Sequence, residues 1–160
     1  MARKTATVTI SAEGRDKGKS FFLTEMSAER SEEWGERALL ALVRGGVDVP
    51  ENVLGLGLAG IAVLGLKALQ GLPWELTKPL LDEMFTCVQR MPNPGKPDVV
   101  RGLVEDDIEE VKTRLQLRWE VLKLHIDFFT DAALLTQARK AVEVSKASSN
   151  TQTSTEESPQ

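Results

Sequence analysis

The chain has 160 residues, 24 of them acidic and 20 basic, giving a formal net charge of −4 with one cysteine and one histidine. A chain of about this length is expected to form one domain around a self-sufficient core. Without a basic surplus to release counterions from phosphates, nucleic acid is not an expected partner, and a single cysteine excludes an internal disulfide and fits a reducing compartment.

Met1-Ala2-Arg3-Lys4 is basic, but alternating residues follow it instead of an apolar run, so no signal peptide is expected. Residues 5 to 10, TATVTI, are β-branched with period two, and residues 20 to 26, SFFLTEM, also read as a strand. The SAEGRDKGK between them carries two glycines among charges, which is turn chemistry, and the whole predicts a β-hairpin. A hairpin is marginal by itself and must lay one face on helices.

Ser27 is positioned as an N-cap, with Glu29, Glu32 and Glu33 near the positive end of the helix dipole. The helix should run from Ala28 to about Arg44 and stop at Gly45-Gly46. Trp34, Ala38, Ala41 and Leu42 recur at helical spacing, Leu39 and Val43 widen that face, and Arg30, Glu33 and Arg37 lie opposite.

After the connector VDVPEN comes a run of small apolar residues, with Gly55, Gly57 and Gly60 in G-x-G-x-x-G spacing. A dinucleotide-binding turn needs a strand ending at the first glycine, and Pro50-Glu51-Asn52 stand there instead. Only fourteen uncharged residues, Val53 to Leu66, precede Lys67, whereas a membrane span needs about twenty. The segment therefore reads as a packed helix whose small residues let another backbone come near. Its glycines weaken it by up to about 1 kcal/mol each relative to alanine. Neither a cofactor nor a membrane is expected.

A further helical pattern covers Trp74 to Met91, with Pro79 inside it. The simplest arrangement is a short turn at 73 to 77 and a main helix starting near Thr77. Cys87 falls on this pattern as a small buried hydrophobe. PNPGKP is loop, and residues 98 to 104, DVVRGLV, are a candidate third strand joining the hairpin.

The last long helix should start near Asp106, with Glu109 as a capping-box partner. Ile108, Val111, Leu115, Trp119, Leu122, Ile126 and Phe129 form one stripe along it, while Leu117, Val121, Leu124 and Phe128 form a second in its C-terminal half. A helix apolar on two sides is central to a core or shows one side to a partner. Glu110 and Arg114 are an expected i,i+4 pair on its wet side. The acidic run from Glu105 to Glu110 lacks calcium-loop spacing and fits a helix start, so no metal site is expected. His125 has no ligand or catalytic partner nearby in sequence, and no catalytic residue is assigned. Eight of the sixteen residues from 145 to 160 are Ser or Thr, none is large and apolar, and disorder is expected there. The fold class is thus α+β, mostly α, with the N-terminal hairpin packed on four or five helices in residues 1–144 and a tail in 145–160.

Three stretches taken together resemble the tail assembly chaperones of long-tailed bacteriophages that infect Gram-negative bacteria. They are ISAEGRDKGKSFFLTEMSAERSEEWGERALLALVRGGVDVP (10 to 50), GLAGIAVLGLKALQGLPWELTKPLLDEMFTCVQ (57 to 89) and VVRGLVEDDIEEVKTRLQLRWEVLKLHIDFF (99 to 129). The likeness runs in unbroken order from residue 4 to about 130 and includes LTEM, Trp34, GVDVP, PLLDEM and EDDIEEV. It implies a protein of the host-cell cytoplasm that binds the tape measure protein, keeps it soluble while the tail tube polymerises, and is absent from the mature virion. It also implies a longer product, made by ribosomal frameshifting in many such genes, that recruits the tail tube protein. Holding an apolar helical client calls for apolar stripes at helical period and small residues that permit close approach. Leu58, Ile61 and Leu64, with Leu117, Val121 and Leu124, are the candidate client contacts, each equally explained as ordinary core. The rival readings are a structural tail or head–tail completion protein of the virion, and a small enzyme or cofactor binder without a recognisable motif.

Overall fold

A computed structural model of the chain describes residues 2–55, 60, 61, 64 and 66–126. The expected hairpin is present. Strand β1 (Thr5–Thr9) pairs antiparallel with β2 (Ser20–Thr24), with Val8 opposite Phe21 and Ala6 opposite Leu23. Two further strands extend it, β3 (Val88–Met91) and β4 (Arg101–Gly102), in the order β1-β2-β3-β4, every pair antiparallel. Opposed residues share a face of a sheet, so Val88 joins Leu23 and Ala6 on the side that meets the helices.

Strand β3 corrects the expectation of a single helical segment from 74 to 91. Helix ends at Phe85, the chain turns through Thr86 and Cys87, and Val88–Met91 runs as a strand. The physical reason is not local. An unpaired β2 edge would leave a row of backbone groups without partners, and β3 supplies them, with Thr24 N–H donating to the Cys87 carbonyl at 2.9 Å. The 98–104 segment does contain a strand, but it pairs with β3 and not with the hairpin.

Helix α1 (Ala28–Arg44) has the expected bounds. Ser27 Oγ accepts the Arg30 N–H at 3.3 Å, and Gly45 N–H closes the far end on the Ala41 carbonyl at 2.9 Å. Trp34, Ala38, Leu39, Ala41 and Leu42 are buried, whereas Val43 is exposed. A short helix α2 (Glu51–Leu54) and a 3-10 segment (Leu66–Gly71) follow. Most of the glycine-rich stretch between them lies outside the described residues. Gly60 is described, and its close packing is backbone against backbone: a Cβ there would stand 2.6 Å from the Val53 carbonyl oxygen.

Helix α3 (Trp74–Phe85) begins three residues earlier than expected and carries Pro79 inside it. That proline removes one backbone donor, and tertiary contacts offset the loss. Leu80 and Met84 are buried. Trp34 Nε1 donates to the Leu80 carbonyl at 2.9 Å, and Glu83 holds both Arg30 (3.3 Å) and Arg37 (2.5 Å) of α1.

The last helix, α4 (Val111–Ile126), starts later than the expected Asp106, because residues 105–107 form a separate 3-10 turn. Its cap comes from the hairpin loop. Asp16 is buried and accepts the backbone N–H groups of Glu109 and Glu110, each at 3.0 Å, while Lys19 Nζ reaches it at 2.8 Å. Burial works against the Asp16 charge, but these donors outweigh it and hold the carboxyl well below the usual carboxylate range. Gly14 has φ +145°, a conformation that L side chains rarely adopt, and a Cβ there would push the Glu110 carboxylate aside. Arg101 grips Asp107 through two bonds of 2.7 Å, which lowers that carboxyl too. The far end is tied by His125, whose Nε2 accepts the Met26 N–H at 2.8 Å while Nδ1–H donates to the Val121 carbonyl at 2.7 Å. The expected tail at 145–160 lies outside the described residues.

Candidate binding surface

The residues proposed as client contacts do not form an open face. Ile61, Leu117 and Val121 are fully buried in the core, and Leu64 and Leu124 are half-buried against it. Leu58 lies outside the described residues. Helix α4 packs on α3 and β1, and these cover the Leu117–Val121 side with Thr113, also buried, continuing the same row.

The other stripe is the one left open. Val111 is 73% exposed, Leu115 51% and Trp119 45%, at i, i+4 and i+8 along α4. Of the rest of the stripe, Leu122, one turn further on, is buried, and Ile108 and Ile126 are partly buried against the core. The two faces are therefore inverted relative to a reading in which the longer stripe is core. Residues spaced by four stack along one side of a helix, so the three side chains make a continuous apolar ridge spanning about 12 Å at 1.5 Å per residue.

Beside the ridge lies a groove of about 640 Å³ between the end of α3, strands β3 and β4, and α4. Phe85, Val88, Leu103, Val104 and Ile108 give it an apolar floor and sides, and Arg114 closes it toward α4. Two guanidinium groups stand over one ring there: the Arg114 carbon lies 4.1 Å from the centroid of Phe85, and that of Arg118 lies 5.0 Å away. Cations over an aromatic face are attracted by its quadrupole, but the two cations also repel each other. Burial, and next the neighbouring Arg114 charge, lower the Arg118 pKa, with Asp82 opposing them. The Nε of Arg118 is buried with no hydrogen-bond partner. Asp82 is itself engaged by Lys78. The i,i+4 pair expected between Glu110 and Arg114 is not formed, because Lys112 takes Glu110 at 3.3 Å and Arg114 lies on Phe85 instead.

The chain matches no protein family, no curated protein and no solved structure.

The remaining sequence candidates have structural partners. Cys87 is buried, and burial pushes its thiol pKa up, which makes it a poor nucleophile. The acidic run is divided among ion pairs, Asp107 with Arg101 and Glu109 with Lys19 and Arg15. Among the described residues no group of three His, Cys, Asp or Glu side chains is arranged to hold a metal ion, and no helix is long and apolar enough to cross a membrane. Sequence reasoning missed the Arg114–Phe85–Arg118 stack because Phe85 comes from a different element. Only the i,i+4 spacing of two arginines beside an apolar stripe pointed toward it.

Proposed function

We propose that this chain is a tail assembly chaperone of a long-tailed bacteriophage. It binds the tape measure protein in the host cytoplasm and keeps it soluble while tail tube subunits polymerise around it. The observation that carries the reading is the exposed Val111–Leu115–Trp119 ridge beside an open groove of mixed apolar and polar lining. An aggregation-prone helical client is held by covering its apolar face, and a ridge of helical period meets such a face by side-chain interdigitation. The ordered resemblance of residues 4 to about 130 to that family supports the same reading. It requires no cofactor, metal or reacting group. A longer frameshifted product would bring the tail tube protein to the same client.

Co-expression tests the proposal. The tape measure protein encoded by the same phage should pellet when made alone, and its soluble fraction should rise several-fold when this chain is made with it. An unchanged pellet counts against the reading. Mass spectrometry of purified virions separates it from the structural alternative: a departing chaperone leaves no stoichiometric band, whereas a tail or head–tail completion protein does.

A further inference from the structure

The Arg114–Phe85–Arg118 stack carries more than the apolar ridge does. Two guanidinium groups one helical turn apart are each attracted to the Phe85 ring but repel each other, a repulsion that an anion between them would relieve. Among the described residues neither has an ion-pair or hydrogen-bond partner, and the buried Nε of Arg118 leaves a donor unused. Guanidinium donors form a fixed fork that matches a carboxylate, and a cation already desolvated gains most from an incoming anion. The stack sits along one border of the Val111–Leu115–Trp119 ridge, and Arg114 is shared with the groove. On the other border α4 presents exposed Lys112 and Lys123 with half-buried Gln116 and Glu120, the two lysines being paired with Glu110 and Glu120. Two carboxylates line the groove, Glu105 on the β4 side and Asp82 on α3. Asp82, held by Lys78, also acts on Arg118, so an incoming anion is confined to the outer, α4 side of the arginine pair.

From this arrangement we infer that the surface receives an amphipathic helix carrying carboxylates along one edge of its aliphatic stripe, those carboxylates docking on Arg114 and Arg118. The stripe lies on Leu115 and Trp119, and the acidic edge fixes its direction and register. Like charges facing each other across an interface are costly, so the arginine pair also rejects helices with a basic edge. The inference rests on the client-binding reading for its partner class, and it adds which client segments are selected.

The test uses the full chain and two labelled synthetic peptides with the same leucine stripe, one edged with glutamate and one with lysine, followed by fluorescence anisotropy. The glutamate-edged peptide should bind about tenfold or more tightly than the lysine-edged one at low salt, with the ratio shrinking as salt rises. The double variant Arg114→Gln/Arg118→Gln should bring the ratio close to one, and Arg114→Lys/Arg118→Lys should restore part of it. Circular dichroism identifies a variant that fails to fold, in which case the salt dependence of the unaltered chain decides. Equal affinities for the two peptides, or no saturable binding of either, overturn the inference. So does a concentration-dependent dimer that Leu115→Glu abolishes, because a second copy would then occupy the ridge. Peptide discrimination without rescue of the tape measure protein removes the chaperone reading and leaves the surface. Rescue without discrimination does the reverse.

Discussion

Gly55 and Gly60, the first and last glycines of one G-x-G-x-x-G spacing, meet different surroundings. Gly55 has an ordinary right-handed conformation at the end of α2, φ −70° and ψ −9°, and a Cβ there would touch nothing within 4 Å. Gly55→Ala should therefore be neutral or stabilise by about 0.5–1 kcal/mol, by restricting the unfolded chain. At Gly60 the obstruction is backbone, the Val53 carbonyl at 2.6 Å, with Leu39 behind it at 3.4 Å. Gly60→Ala should cost about 1–3 kcal/mol, as overpacking does. Urea unfolding of the two variants checks both signs. Asp16 is the other residue whose neighbours decide its role. Replacing it by alanine removes the cap of α4, leaves the Glu109 and Glu110 N–H groups without their acceptor and leaves Lys19 with Glu109 alone. That should cost about 2–4 kcal/mol in the same measurement. Asp16→Asn keeps an acceptor and should recover part of that.

Helix α4 shows how far periodicity reaches at the scale of an element. Its two apolar stripes are both visible in the sequence, and so is the wet side between them. Which stripe faces inward is not visible, because both have helical spacing and comparable side chains. The hairpin and α3 select the Thr113–Leu117–Val121 row, leaving Val111, Leu115 and Trp119 open. Leu117→Ala should accordingly cost about 2–5 kcal/mol through the cavity it leaves. Leu115→Ala should change stability by less than about 1 kcal/mol. Thermal or urea unfolding of the pair discriminates them, and a reversed order would mean the faces are assigned the wrong way round. Strand β3 was hidden for a related reason. VQRM continues a helical pattern well enough locally, and it becomes a strand only because β2 has an edge to pair.

For the molecule as a whole, two carboxylates fasten distant parts of the chain. Asp16 joins the hairpin loop to α4, and Asp107 joins the segment before α4 to Arg101 beside β3. Both carboxyls have an ordinary value of 3.8 and are held lower in the fold. Between the unfolded and folded values the unfolded chain binds more protons, so lowering the pH favours unfolding. The stability these groups contribute is present above about pH 5 and is lost as pH falls through 3.8 and below. The urea midpoint should hold steady from neutrality to about pH 5 and then drop, and Asp16→Asn should flatten that acid limb. A midpoint independent of pH down to about 3 would contradict these roles.

The sequence by itself determined the hairpin, α1 with both its ends, the buried character of Cys87 and the mixed α+β class. Their causes are contained within a few neighbouring residues: β-branched alternation around a glycine turn, Ser27 three residues before Arg30, Gly45 after Arg44. Tertiary structure alone decided where α4 begins, since its cap, Asp16, lies 93 residues before Glu109. It also decided that Val88–Met91 is a strand, that Leu117 and Val121 are core, and that Arg114 and Arg118 share the ring of Phe85. A pattern along the chain names the faces an element can bury. Which face is buried depends on what the rest of the chain brings to cover it.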